Sequence, residues 1–183
     1  MLIRLASELQ KDSIVDGEGI RAVIWTQGCP HKCPGCHNPE THDYKGGFAK
    51  DVEELKKEIN TLDDEVGVTF SGGDPFEQPE ACLEIAKYCH SVKLNVWCYT
   101  GYTYEQLLKK GKENPAIINF LKEIDILVDG PFIMKLKSYE IKFRGSKNQR
   151  VIDVKESLKK KKVVLHDVDG KKEKKDKKQE IYI

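Results

Sequence analysis

Four short apolar segments that alternate with helical patterns constrain the fold of this chain more than any other feature. Apolar residues in short runs predict strands, while pairs such as Leu55 and Ile59, four residues apart, predict helices between them. Alternation of strands with helices favours a parallel sheet with crossover helices. The predicted strands cover residues 22–26, 65–70, 94–99 and 125–129.

The length of the chain limits how far such a sheet closes. A complete eight-stranded (β/α) barrel needs about 250 residues, and this chain has 183. We therefore predict an α/β fold in which the barrel is partial and the strands are mostly parallel. Ligands of such folds bind at the carboxyl ends of the strands, so the loops that follow the predicted strands are expected to form one site.

Charge is distributed unevenly along the chain. Residues 159–183 contain ten Lys and five acidic residues, whereas the remainder contains 21 basic and 25 acidic residues. We predict a core domain over residues 1–158 and a Lys-rich tail or peripheral hairpin over residues 159–183. A mildly acidic body argues against nucleic acid as the partner. The sequence shows neither a signal peptide nor a membrane-spanning run, which predicts a cytoplasmic protein without membrane association.

Three cysteines lie within eight residues, directly after the first predicted strand. Cys29, Cys33 and Cys36 form a C-x3-C-x2-C loop, and thiolates this close in sequence converge on one centre at small entropic cost. A 4Fe-4S cluster usually takes four Cys ligands. A loop that supplies three leaves one iron open to a substrate, just as catalytic zinc sites keep an open position.

Zinc is the alternative occupant of this loop. Three clustered Cys with a nearby imidazole from His31, His37 or His42 would permit a zinc site, and the protein would then be a non-catalytic adaptor. The distant second ligand pair of a structural zinc finger is absent from the sequence, which favours iron and sulfur over zinc.

The other three cysteines carry a different prediction. Cys82 and Cys89 lie on one face of a predicted helix, and Cys98 lies in a predicted strand. We interpret all three as buried core thiols.

The order of the motifs resembles the radical S-adenosylmethionine superfamily. The Cys loop, the Gly-Gly-Asp-Pro turn after the second strand and the segment before the first strand resemble glycyl-radical-enzyme activases in particular. Segments of the second half resemble the activating proteins of anaerobic ribonucleoside-triphosphate reductases. The segments that carry the resemblance are residues 16–21, 29–38, 71–75, 100–102, 126–132 and 143–151.

The resemblance implies a 4Fe-4S cluster held by Cys29, Cys33 and Cys36, with S-adenosylmethionine chelating the fourth iron. It also implies that Gly72 and Gly73 form a turn where the backbone approaches the methionyl part of that molecule closely, although a simple tight turn would have the same sequence.

The nucleoside contact departs from the superfamily pattern. Many members carry an aromatic residue just before the third Cys, and here that residue is Gly35. The resemblance then assigns the contact to the backbone of Gly35, Cys36 and His37, with the His37 ring as the aromatic group. Thr100 and Asp129 end predicted strands beside the ligand and are expected either to contact it or to cap the strand ends.

The implied activity is the reductive cleavage of S-adenosylmethionine to methionine and a 5′-deoxyadenosyl radical, followed by formation of a glycyl radical on a reductase. The implied partners are the glycine-bearing loop of the reductase and reduced flavodoxin or a similar electron donor. No catalytic acid or base is required, and none is assigned. An activase of another glycyl radical enzyme, such as pyruvate formate-lyase, is the nearest alternative.

Overall fold

The computed structural model describes residues 1–170, which contain one mixed sheet of eight strands and five α-helices. Short 3-10 helices lie at Pro39–His42, Pro75–Glu77 and Met134–Leu136. The strands are β1 Leu2–Leu5, β2 Gln10–Ser13, β3 Arg21–Thr26, β4 Phe48–Asp51, β5 Gly67–Gly72, β6 Asn95–Tyr99, β7 Ile126–Asp129 and β8 Arg150–Asp153. The helices are α1 Val52–Ile59, α2 Pro79–Ser91, α3 Tyr104–Lys110, α4 Pro115–Lys122 and α5 Val154–Lys160.

The centre of the sheet is parallel, as predicted. Strand β3 pairs with β5, β5 with β6 and β6 with β7, all in parallel register. The strand order is β4-β1-β3-β5-β6-β7-β8, with β2 also paired to β3. Because β4 and β8 lie at opposite ends of this order, the described sheet remains open. The α/β class and the partial barrel are confirmed.

The sheet as a whole is mixed rather than mostly parallel. Strands β1, β2, β4 and β8 all pair in antiparallel orientation, and they lie around the parallel centre. The sequence pattern missed these four strands because each is only four residues long and carries polar residues, as in the Gln-Lys-Asp-Ser of β2. Tertiary pairing, rather than local periodicity, determines strands of this kind.

The core lies between the sheet and its helices. Phe120 of α4 packs against Phe70 of β5 and Phe76, with ring centroids 5.3 and 4.9 Å apart. Cys82, Cys89 and Cys98 are fully buried and free, so their interpretation as core thiols is confirmed. Within residues 1–170, no helix combines the length and the apolar composition needed to cross a membrane.

A buried arginine anchors the segment that precedes β3. The Arg21 side chain is fully buried, and burial lowers the pKa of its guanidinium to about 10. It donates to the Thr69 hydroxyl at 2.7 Å and to the carbonyl of Glu18 at 3.1 Å, and the Thr69 hydroxyl in turn donates to the Asp16 carbonyl. The residue 16–21 motif is therefore folded over the sheet next to the site.

One residue beyond the expected boundary at 158 forms a bridge to the sheet. That boundary falls inside α5, and Leu165 forms an antiparallel bridge with Ile152 of β8. Val168 is 7% exposed and packs in a small cluster around Trp97. The remainder of the predicted Lys-rich tail or hairpin, residues 171–183, lies outside the described residues. We propose that the folded unit extends at least to Val168.

We expect Val168→Ala to lower the free energy of unfolding by about 1–2 kcal/mol, because it removes two buried methyl groups from the Trp97 cluster. Leu165→Ala is the matched control, since that side chain is 58% exposed. Urea denaturation of the two variants measures the difference. Equal stability of Val168→Ala and the wild type would place residue 168 outside the folded unit.

Candidate active site

The carboxyl ends of the four parallel strands meet at one cavity of about 420 Å³. This volume lies within the range of about 300–1,000 Å³ typical of small-molecule sites. The loops that were expected to form one site therefore line a common cavity. The cavity is lined by residues from all four loops, including Cys29, Cys33, Cys36, His37, Gly72, Gly73, Thr100, Gly101, Gly130 and Phe132.

The Cys loop curls so that its three thiols line the same cavity. The Cys36 amide donates to the Cys33 carbonyl at 3.0 Å, and the Asn38 amide donates to the Cys36 sulfur at 3.4 Å. Lys32 and Gly35 adopt positive φ angles of 46° and 73°, which reverse the chain between the thiols. The sequence therefore folds these thiols around a shared space.

The donor set fits a 4Fe-4S cluster. Partial burial raises the pKa of Cys29 to about 11, so this thiolate needs a nearby positive charge, which bound iron supplies. Within residues 1–170, no three His, Cys, Asp or Glu side chains are placed to hold one metal ion together. A cluster does not require that arrangement, because each thiolate binds a different iron.

Two of the three imidazoles considered for zinc have other contacts. His31 Nε2 lies 2.7 Å from the Asp74 carboxylate, and its ring packs edge-on against Tyr102 at 4.4 Å. The His37 ring packs against Phe132 at 4.8 Å. His42 also lines the cavity, but its Nε2 is buried without a hydrogen-bond partner.

The carboxylate of Asp74 joins three loops of the site, a role that no sequence pattern had predicted. Asp74 is fully buried and accepts hydrogen bonds from the Thr100 hydroxyl at 2.8 Å and the Gly101 amide at 3.0 Å. It also accepts from His31 in the Cys loop and from the Phe76 amide at 3.1 Å. The sequence signal that could have indicated a structural role for Asp74 is its position just before Pro75, since Asp followed by Pro is typical of helix starts.

A second carboxylate supports the Cys loop from outside the cavity. Glu77 accepts hydrogen bonds from the hydroxyls of Tyr44 and Tyr102, both at 2.7 Å. Desolvation and these bonds raise the pKa of both phenols above their usual range. The Tyr44 ring packs against Gly28, while Tyr102 packs against His31, so Glu77 fixes two aromatic rings against the loop.

The Gly72-Gly73 turn is tight because backbone lies against backbone. A Cβ on Gly73 would lie 2.4 Å from the carbonyl oxygen of Gly28, and one on Gly72 would lie 2.7 Å from that of Thr26. Gly72 also has a φ of 96°. Both residues line the cavity, but the space that a side chain would need is occupied by the end of β3 and the start of the Cys loop.

The space that a side chain at position 35 would occupy is filled by a residue far away in sequence. A Cβ on Gly35 would lie 1.9 Å from Met134 Cε, and the Phe132 ring lies next to it. Phe132 and His37 both line the cavity and contact each other. The cavity wall next to the third Cys thus holds two rings, of which only His37 could be predicted from the sequence.

Thr100 and Asp129 both have structural contacts. The Thr100 hydroxyl donates to Asp74, although the residue lines the cavity. Asp129 is 1% exposed and accepts from the Tyr104 amide at the start of α3 and from Arg150 Nε at 3.0 Å. For Asp129, the geometry favours the strand-end cap over the ligand contact.

We expect Asp74→Ala to lower the free energy of unfolding by about 3 kcal/mol or more, because several buried donors would lose their acceptor at roughly 1–3 kcal/mol each. Asp63→Ala removes an exposed carboxylate and serves as the control, with an expected change below about 0.5 kcal/mol. Denaturant titrations measure both. Equal midpoints for the two variants would show that Asp74 does not hold the loops together.

The sequence matches the protein family described as "4Fe-4S single cluster domain" over residues 15–152. It is 35% identical over 149 residues to the anaerobic ribonucleoside-triphosphate reductase-activating protein of Escherichia coli (strain K12), covering 75% of this chain and 91% of the relative. The protein of the same name from Enterobacteria phage T4 is 31% identical, with coverages of 75% and 86%.

Two further proteins are similar over shorter shares of their length. The pyruvate formate-lyase-activating enzyme of Clostridium pasteurianum is 36% identical over 131 residues, covering 68% of this chain and 55% of that protein. The crystal structure of QueE from Escherichia coli aligns with a TM-score of 0.47 at 17% identity, covering 56% of this chain and 54% of the other. The family match sets the zinc alternative aside. By its cysteine loop, its glycine turn and its similarity over most of its length, the chain belongs to the anaerobic ribonucleoside-triphosphate reductase-activating proteins, radical S-adenosylmethionine enzymes with a 4Fe-4S cluster.

Proposed function

We propose that this protein activates an anaerobic ribonucleoside-triphosphate reductase by generating a glycyl radical on it. The observation that carries the proposal is the arrangement of three thiols and the Gly72-Gly73 turn around one cavity at the carboxyl ends of the parallel strands. The reductase is preferred to pyruvate formate-lyase because the chain covers 91% of the reductase activator from Escherichia coli but 55% of the pyruvate formate-lyase activator.

Cys29, Cys33 and Cys36 are the proposed ligands of three irons of the cluster. When bound, the cluster and S-adenosylmethionine supply a one-electron reductive cleavage that gives methionine and a 5′-deoxyadenosyl radical, which takes a hydrogen atom from the glycine. The Asp74 and Glu77 contacts hold the Cys loop in place during this reaction. The chain's contribution is positioning, and no side chain is assigned as an acid or base.

S-adenosylmethionine is proposed to lie between the glycine turn and the His37 wall of the cavity. The backbone of Gly72 and Gly73 borders the methionyl part, and the backbone of Gly35 and Cys36 borders the nucleoside. His37 is proposed to act as one of a pair of rings, with Phe132 as the second. Thr100 contributes through its bond to Asp74, whereas Asp129 is proposed to support α3 rather than the ligand.

The substrate glycine has to reach the cavity from outside, since hydrogen transfer requires the reacting atoms to approach within about 3–3.5 Å. The open sheet is consistent with entry of a loop from the reductase. Reduced flavodoxin, or a donor of similar chemistry, is the proposed electron source. The cytoplasm is the proposed location, because the ligand thiols must be reduced and the cytoplasm keeps thiols reduced.

The proposal is tested by mixing the protein, the reductase, S-adenosylmethionine and dithionite without oxygen. We expect a glycyl-type doublet in electron paramagnetic resonance and transfer of deuterium from α-deuterated glycine in the reductase to 5′-deoxyadenosine. Cys33→Ala should lose iron and doublet together, whereas Cys82→Ala should keep its iron because that thiol is in the core. Cleavage without a doublet or deuterium transfer would show that the assigned partner is wrong.

We also expect Gly73→Ala to lose iron as well as S-adenosylmethionine binding. The new Cβ would press on the Gly28 backbone, which leads directly into Cys29. Asp63→Ala, which removes an exposed side chain, is the control. Iron content and equilibrium binding measure the two effects. Weak binding with full iron content would mean that Gly73 acts on the ligand alone.

A further inference from the structure

A segment at the rim of the cavity presents an exposed surface that the proposed reaction does not use. This rim segment, residues 133–142, follows the Phe132 wall directly. Its residues 133–137 form an unbroken exposed run. Met134 Cε fills the space beside Gly35 in the Cys loop, yet 50% of Met134 is exposed. A protein that contacts the rim segment would therefore touch the edge of the cavity.

The rim segment is held in a defined position by its neighbours. The Ile133 amide donates to the Ser146 hydroxyl at 3.1 Å, and Lys137 forms an antiparallel bridge with Ser146. The Lys147 amide donates to the Leu136 carbonyl at 2.9 Å. Ser146 itself is fully buried. The exposed side chains are thus displayed from a fixed backbone, as a binding surface requires.

The exposed side chains of the rim segment combine apolar and basic groups. Tyr139 is 89% exposed and Leu136 is 38% exposed. Exposed apolar groups close together and bordered by charges are typical of protein interaction sites. The segment also carries three exposed lysines and one acidic residue, namely Lys135, Lys137, Lys142 and Glu140.

Among residues 1–170, no carboxylate forms an ion pair with these three lysines. Within residues 1–170, the ion pair of this region joins Arg144 to Asp169 at 2.9 Å, and the lysines of the rim segment take part in none. Lys137 Nζ instead lies 4.8 Å from the centroid of the Tyr139 ring. Uncompensated positive charge at a rim attracts a negatively charged partner and raises its association rate.

We propose that the rim segment is the docking surface for the protein that carries the target glycine. It binds a segment of that protein in which acidic side chains surround an apolar anchor. The acidic side chains meet Lys135, Lys137 and Lys142, and the anchor meets Leu136 and Tyr139. This inference rests on the proposed function, and it assigns the partner's binding to residues outside the cofactor cavity.

The test compares two triple variants with the same change in charge. The rim triple variant reverses the charge of the three lysines of the rim segment, and it is Lys135→Glu/Lys137→Glu/Lys142→Glu. The control triple variant reverses the charge of three exposed lysines elsewhere on the chain, and it is Lys57→Glu/Lys93→Glu/Lys122→Glu. Each is loaded with iron and sulfide and assayed in two ways. The first assay is 5′-deoxyadenosine formation without reductase, and the second is the glycyl doublet as a function of reductase concentration.

We expect the rim triple variant to need at least about tenfold more reductase for half-maximal activation, with unchanged 5′-deoxyadenosine formation in the absence of reductase. The control triple variant should match the wild type in both assays. Raising the ionic strength to about 0.15 M should weaken activation by the wild type and leave the rim variant less affected. Leu136→Ala/Tyr139→Ala should weaken activation at every ionic strength, because the apolar anchor is not screened by salt.

Three results would overturn the inference, and they are distinguishable. If the wild type gives 5′-deoxyadenosine but no doublet with the reductase, the proposed function fails, and the docking surface fails with it. If the wild type activates the reductase and the two triple variants behave alike, the docking surface alone is wrong. If the rim variant loses 5′-deoxyadenosine formation without reductase, the segment shapes the cavity and does not dock a partner.

Discussion

The buried carboxylate of Asp74 is the contact on which the geometry of the site depends. It joins the Cys loop through His31, the end of β6 through Thr100 and Gly101, and its own turn through Phe76. A buried carboxylate without partners would be costly, whereas one with several donors fixes the groups around it. Three loops that are far apart in sequence are therefore held in one arrangement.

The glycine turn places this carboxylate where it is needed. The Gly73 amide donates to the Thr26 carbonyl and the Asp74 amide to the Gly28 carbonyl, at 2.7 and 2.8 Å. Such close backbone contact leaves no room for a Cβ on Gly73. The Cys loop can therefore pack in its observed position only if residue 73 is glycine. The close approach of the same backbone to S-adenosylmethionine is a second, proposed role of the turn. Glu77 adds a second support by holding two tyrosines against the loop.

The open architecture also has a functional consequence. Within residues 1–170, the sheet ends in β4 on one side and in β8 on the other, so it does not enclose the cavity as a closed barrel would. For chemistry on a small molecule this would expose the site to water. For chemistry on a glycine of another protein it provides a way in, and the rim segment next to Gly35 is suited to hold that protein while the loop enters.

The sequence by itself determined those features whose formation depends on residues close together along the chain. Strands β3, β5, β6 and β7, the Cys loop, the glycine turn and the burial of Cys82, Cys89 and Cys98 follow from apolar runs, spacing and composition. Only the tertiary structure decided the rest. The bonds of Asp74 to His31 and Thr100, the contact of Met134 with Gly35, the bridge of β8 to Leu165 and the ion pair of Asp129 with Arg150 join residues 13 to 99 positions apart. A hydrogen-bond or packing partner at such a distance leaves no periodic mark on either segment, because it is selected by the folded sheet that brings the two together.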